Sequence, residues 1–283
     1  MTHTPGNDLA LTGIPRGGTT LACRLAGLAQ DCVALFEPMD PETLPLQREA
    51  AIDGVQAFFR DTRQRLEREG VAPSKQRDGK VPDNPYSAPD ATGKRQWLVA
   101  PGLIEVPPPA PGFTLAVKHN ASFTALLPDL ARRMRVVAVV RNPLAVLASW
   151  NTVELPVSGG RVPAGERFDP ALATRLDGEP DRLQRQLIVL EWFFDRFREA
   201  GDAIAVVRYE DIVATGGQAL YAAARLQGEG DDSLRGRNAS AAYRGIDIAG
   251  MAAGLARAGG AWRHWYAQPE IDAVADRFEA GGA

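Results

Sequence analysis

The sequence predicts an α/β protein built on a single doubly wound parallel sheet. Three observations carry this. Short apolar runs of strand length recur at 8–14, 32–36, 113–118, 135–140 and 203–208. Such near-continuous apolar runs suit strands buried on both faces. Helical patterns separate several of them, and alternating strands and helices give a parallel sheet with right-handed crossovers.

The elements follow in order. Residues 8–14 (DLALTGI) read as a buried strand, and Pro15-Arg16-Gly17-Gly18-Thr19-Thr20 as a loop. Apolar residues at helical spacing over 19–30 give a helix. Residues 32–36 (CVALF) form the second strand, stopped by Glu37-Pro38. A charged helical pattern covers 46–70, and 71–112 is rich in Pro and Gly. So long a connection in a compact domain is either a functional cap or partly mobile, and a cap built largely from 41–112 is expected. Strand character returns at 113–118, a helix fits 122–132, and 135–140 (RVVAVV) is a clear strand. Pro143 suits the first turn of a helix running to about Trp150. Residues 151–180 read as mostly loop, 181–200 as an amphipathic helix, and 203–208 as the last strand, ending in Tyr209-Glu210-Asp211. The rest is helical and polar, broken by glycines at 228–236. No repeat is present, so 1–283 is taken as one domain.

Charge narrows the function. With 32 basic and 35 acidic residues the net charge is −3, so nothing in the bulk charge calls for a nucleic-acid partner. Any anion site has to be local. Cys23 and Cys32 lack metal-ligand spacing and are expected as buried free thiols, which fits a reducing compartment. No leader pattern opens the chain and no stretch approaches the ~18 apolar residues of a membrane span, so a cytoplasmic protein is expected. Oligomeric state is left open.

The first motif is the loop from Pro15 to Thr20. Gly17 and Gly18 let backbone N–H groups approach an anion, and a helix N-terminus adds unpaired N–H groups with a positive dipole end. Thr19 and Thr20 supply hydroxyls, and Arg16 a permanent charge with planar donors. The nucleoside-triphosphate loop G-x-x-x-x-G-K-[ST] is not matched, because no Lys-Ser or Lys-Thr follows the second glycine. A donor handled without metal is therefore expected. The second motif is Arg141-Asn142-Pro143 followed by Ser149. Arg141 ends a strand on the ligand-binding edge of the sheet, and Ser149 lies about two helical turns on, near the same face. Together they can grip one phosphate.

Pro15-Arg16-Gly17-Gly18-Thr19-Thr20 resembles the 5′-phosphosulfate loop of the sulfotransferases that use 3′-phosphoadenosine-5′-phosphosulfate (PAPS), which runs Pro-Lys/Arg-Ser/Gly-Gly-Ser/Thr-Thr. Arg141-Asn142-Pro143 with Ser149 resembles that family's 3′-phosphate motif, in the family's order. The resemblance implies a P-loop-like fold, PAPS as donor, its desulfated product PAP as the tight ligand, and no metal. Arg208-Tyr209-Glu210-Asp211 resembles a family segment that puts Tyr209 near the adenine, and Gly260-Ala-Trp262-Arg263 one that closes over the nucleotide.

The acceptor needs a base within reach. Glu37 ends the second strand beside the first loop, and some carbohydrate sulfotransferases resemble this arrangement. Partial burial is expected to raise its pKa. His119 is the competing candidate, with Lys118 available for the sulfuryl oxygens; being adjacent, the two should point oppositely in a regular strand. The implied activity is sulfuryl transfer to a hydroxyl, or secondarily an amine, of a carbohydrate or secondary metabolite. The rivals are a P-loop kinase or nucleotide hydrolase and a non-catalytic nucleotide-binding module.

Overall fold

The structure is a computed structural model that describes residues 7–88, 95–238, 243 and 245–280. In chain order its first half comprises β1 (Asp8–Gly13), α1 (Thr19–Leu28), β2 (Cys32–Phe36), α2 (Arg48–Glu69), β3 (Val71–Gln76), β4 (Ala100–Glu105) and β5 (Thr114–Lys118). Then come α3 (Ala121–Ala125), α4 (Leu127–Leu130), β6 (Arg135–Val140), α5 (Pro143–Trp150), α6 (Pro163–Glu166), α7 (Pro170–Asp177) and α8 (Arg182–Ala200). The chain finishes with β7 (Ala205–Arg208), α9 (Tyr209–Ala214), α10 (Gln218–Ala224), α11 (Ile248–Ala258) and α12 (Gln268–Ala280).

The five expected strands form one parallel sheet in the order β2-β5-β1-β6-β7. Alternation along each strand divides the core in two. Ala10, Ile14, Val117, Ala138 and Val140 face one side with α2, α5 and α8. Leu9, Leu11, Ala116, Val137 and Val139 face the other with α1 and α10. Helices on both faces explain why the strands are apolar throughout.

The sequence runs together two features that the structure separates. The 122–132 helix is two short helices, because Pro128 sits in the first turn of α4 and cannot continue α3. Residues 151–180 contain α6 and α7, the second capped by Asp169 accepting from the Leu172 amide at 3.1 Å. Helix α2 is core rather than cap: Ala51, Ile52, Val55, Phe59 and Leu66 are buried. On the same helix Arg63 donates to the Asp8 carboxylate at 2.7 Å and to the Phe113 carbonyl at 2.8 Å. The portion of 41–112 that stands apart is the antiparallel pair β3–β4 with the stretches beside it, of which 89–94 lie outside the described residues. Cys23 is buried and Cys32 half-buried, both free, with thiols pushed up to about 12 by burial. Among the described residues no helix is long and apolar enough to cross a membrane.

The closest packing in the sheet is at Gly13, at the C-terminal end of β1. Its register partner is Val139 of β6, and its φ is +145°. A Cβ here would lie 2.3 Å from the Val139 carbonyl oxygen. Gly13→Ala should therefore cost about 2 kcal/mol or more, from backbone strain and overpacking together. Chemical denaturation should show the midpoint falling with the slope unchanged.

Candidate functional site

Both motif loops leave the sheet at the C-terminal ends of neighbouring strands, β1 and β6. A cavity of about 1520 Å³ opens there. That exceeds the usual range of a single small-ligand pocket, and leaves room for two reactants. Among the described residues nine basic side chains line it against four acidic ones, in a chain of net charge −3. The site is a local basic concentration.

The first loop turns tightly, with the Gly17 amide bonded to the Ile14 carbonyl at 2.8 Å. Arg16 (φ 67°) and Gly18 (φ 92°) take left-handed backbone. A Cβ on Gly18 would strike the Tyr209 ring at 2.5 Å, so only glycine fits. Helix α1 begins at Thr19 with no side-chain cap and no acidic residue in its first turn. Helices α5, α7, α8 and α11 are each capped by an Asn or Asp. Uncapped N–H groups beside a basic cavity are free to take an anion. Gly18, Thr19 and Thr20 line the cavity, as does Arg16.

The two motifs meet directly. Arg16 Nε donates to Ser149 Oγ at 3.1 Å. Arg141 Nη1 donates to the Arg16 carbonyl at 3.0 Å, and Trp150 Nε1 to the Pro15 carbonyl at 2.7 Å. The Arg16 guanidinium lies over the Tyr86 ring, 4.4 Å from its centroid. Burial pushes Arg16 down to about 10, which leaves it charged at neutral pH. Arg141 is 5% exposed and stacks on Tyr209. It also donates to Asn238 Oδ1 at 2.8 Å and to the Arg237 carbonyl at 2.6 Å. Asn238 in turn donates to Glu210, which also accepts from the Asn142 amide and from Tyr266 Oη. Glu210 thus ties the second motif to the chain's C-terminal region.

Glu37 follows β2 with φ 43° and reaches back to two ammonium groups. Lys118 Nζ donates to Oε1 and Lys75 Nζ to Oε2, each at 2.6 Å. Here the expectation of a raised pKa fails. Burial acts upward on Glu37, but Lys118 and Lys75 outweigh it and hold the carboxyl at about 2. Lys118 is 2% exposed with Nζ over the Phe36 ring, so Glu37 is its main anionic partner. His119 is 4% exposed, and its Nε2 accepts the Met39 amide at 3.2 Å. Burial pushes it down to about 3, with Glu37 opposing. His119 is therefore a neutral imidazole whose lone pair is engaged, poorly suited as a base in this state. Lys118 and His119 do not diverge as adjacent strand residues should: both line the cavity. The strand ends at Lys118, and alternation holds only within it.

Gly17 and Ser149 adjoin the cavity without lining it, and two other assigned residues lie elsewhere. Trp262 is 1% exposed and packs on Phe194 in the core. Arg263 donates to the Ala256 carbonyl at 3.3 Å, and neither residue lines the cavity. The segment that does reach the second motif is 235–238, through Arg235, Arg237 and Asn238. Sequence reasoning missed it, along with Lys75, Tyr86, Arg95 and Trp97 of the cap. Arg-Gly-Arg at 235–237 was the available signal. Among the described residues no group of His, Cys, Asp and Glu is arranged to hold a metal. No family model matches the chain, and no curated protein does either.

Carboxyl-carbon NMR of labelled Glu37 should give a midpoint near 2 in the free protein, against an ordinary value of 4.5. A depressed folded pKa also sets the direction of linkage: the ion cluster stabilises the fold above about pH 5, and this is lost as pH falls towards 2. A midpoint above 4.5 would mean that the lysines do not hold it.

Proposed function

We propose that this protein is a sulfotransferase of P-loop-like fold, moving a sulfuryl group from PAPS to a hydroxyl of a carbohydrate or secondary metabolite. One observation carries the reading: an uncapped, glycine-built loop and a buried Arg–Ser pair, more than 120 residues apart in sequence, are in direct contact, and Arg16 and Arg141 line one basic cavity. A donor with a 5′-phosphosulfate and a 3′-phosphate has two anionic ends for two such sites. The sheet order, with the loop-bearing β1 at its centre, supports the fold.

In this reading the 5′-phosphosulfate sits on the amides of Gly18–Thr20 with Arg16, and the 3′-phosphate on Arg141 and Ser149, with Tyr209 beside the nucleotide. The acceptor oxygen attacks sulfur as the bond from sulfur to the 5′-phosphate oxygen breaks. PAP leaves with that electron pair, stabilised by Arg16 and the α1 N-terminus, and the acceptor proton passes to Glu37. Two lysines around one carboxylate leave a net positive charge. The donor's sulfonate oxygens compete for Lys118 and Lys75, so donor binding loosens their hold on Glu37 and raises its basicity. His119 positions Met39 through its engaged Nε2.

Calorimetry with PAP, adenosine 5′-phosphosulfate and ATP–Mg²⁺ tests the donor assignment and the kinase or hydrolase rival. PAP should bind without metal. Adenosine 5′-phosphosulfate, lacking the 3′-phosphate, should bind at least about tenfold more weakly, since charge-assisted hydrogen bonds are lost. Arg141→Lys should narrow that gap. Equal affinities would remove the 3′-phosphate site, and preference for ATP–Mg²⁺ would favour the kinase or hydrolase reading.

A further inference from the structure

The second motif reaches the cavity unevenly. Arg141 lines it, but Ser149 is 1% exposed and adjoins the lining from behind, where its Oγ already accepts from Arg16 Nε. The hydroxyl that lines the cavity beside Arg141 belongs to Tyr243, which neither motif contains.

The ring of Tyr243 is fixed more firmly than its hydroxyl. The ring packs edge-on against Phe278 of α12, with centroids 5.3 Å apart. Its Oη accepts from Arg141 Nη2 at 3.4 Å and donates to the Arg237 carbonyl at 3.3 Å. Both bonds are long, since well-made N–H···O and O–H···O bonds span about 3.0 and about 2.8 Å. Tyr266 shows a fully engaged hydroxyl in the same chain, donating to Glu210 Oε2 at 2.7 Å. A hydroxyl hydrogen turns about its C–O bond, so the Tyr243 proton can leave the carbonyl for a better acceptor while the ring stays in place.

The surroundings favour a negative oxygen at the same place. Burial acts upward on the Tyr243 hydroxyl, but Arg141, Ser149 and Arg16 outweigh it and draw the pKa below the ordinary phenol value. Tyr86, Tyr209, Tyr221 and Tyr266 are all shifted the other way, with burial as the main cause. Groups that stabilise negative charge on the Tyr243 oxygen also stabilise a phosphate oxygen beside it, and a hydroxyl made more acidic donates more strongly to one. A tyrosine that only filled the core would be placed like Tyr221, which is buried and donates to the Leu25 carbonyl.

We infer that Tyr243 is a specificity-determining residue of the nucleotide site, its hydroxyl donating to the 3′-phosphate that Arg141 holds. The inference rests on the sulfuryl-transfer reading, which seats a 3′-phosphate at the second motif. A phosphate monoester offers three strong acceptor oxygens, so Arg141 and Ser149 leave room for a third partner. Tyr243 can fill it by turning its proton from the Arg237 carbonyl, still accepting from Arg141.

Calorimetry on the full chain carrying Tyr243→Phe tests this. The substitution keeps the ring on Phe278 and removes only the hydroxyl. PAP should bind about tenfold or more weakly than to wild type, the loss of one hydrogen bond to a charged group. Adenosine 5′-phosphosulfate, which has no 3′-phosphate, should bind as it does to wild type, and its binding shows that the variant is folded. A purely structural role would weaken both nucleotides alike, and that result overturns the inference alone, as does an unchanged PAP affinity. Wild-type protein that binds neither nucleotide, or both equally, removes the 3′-phosphate from the sulfuryl-transfer reading and the inference with it.

Discussion

The pairing of β1 with β6 is the constraint on which the site depends. Gly13 and Val139 sit side by side in register, with no room for a Cβ between them. Two chain segments far apart in sequence therefore leave the sheet as neighbours. The Arg16 carbonyl then falls within reach of Arg141, and Pro15 within reach of Trp150. Strand pairing buried on both faces fixes these positions more firmly than a loop could by itself, and preorganised donors are what an anion site requires. The left-handed backbone at Arg16 and Gly18 is tolerated because Tyr209, Trp150 and Arg141 pack around the turn.

Electrostatics build on that frame. The chain is slightly acidic as a whole, yet its cavity gathers basic side chains. Some are already satisfied: Lys118 and Lys75 share Glu37, and Arg141 donates to the 237–238 segment. Buried charges held in this way are costly to assemble. Glu37 is the pivot, since its carboxylate is what keeps the buried Lys118 charge matched. The residue to which the proposed function gives the proton is thus also a structural counter-ion.

Much of this was legible in the sequence, for reasons particular residues make plain. The five parallel strands were visible because burial on both faces leaves runs such as CVALF and RVVAVV with no polar interruption. The placement of Arg16, Glu37, Lys118 and Arg141 at strand ends followed from that. The β3–β4 pair was not visible, since VAPSKQ has a proline and polar residues where a strand signal needs alternation. The pKa of Glu37 was misjudged because burial could be guessed from sequence but the pairing could not: Lys118, first among the groups that lower it, was assigned to the sulfuryl oxygens, and Lys75 lies on that unseen strand. Trp262 was misplaced for the opposite reason. A short motif fixes residue types but not which side of a 3₁₀ turn faces the core, and this tryptophan faces Phe194.

A crystal structure with PAP bound tests the central claim most directly. The account predicts the 5′-phosphate on the amides of residues 18–20 beside Arg16, the 3′-phosphate against Arg141 and Ser149, and Lys118 free to turn from Glu37 towards the vacated sulfuryl position. PAP bound away from these two loops, or bound with its 3′-phosphate making no contact to Arg141, would contradict it.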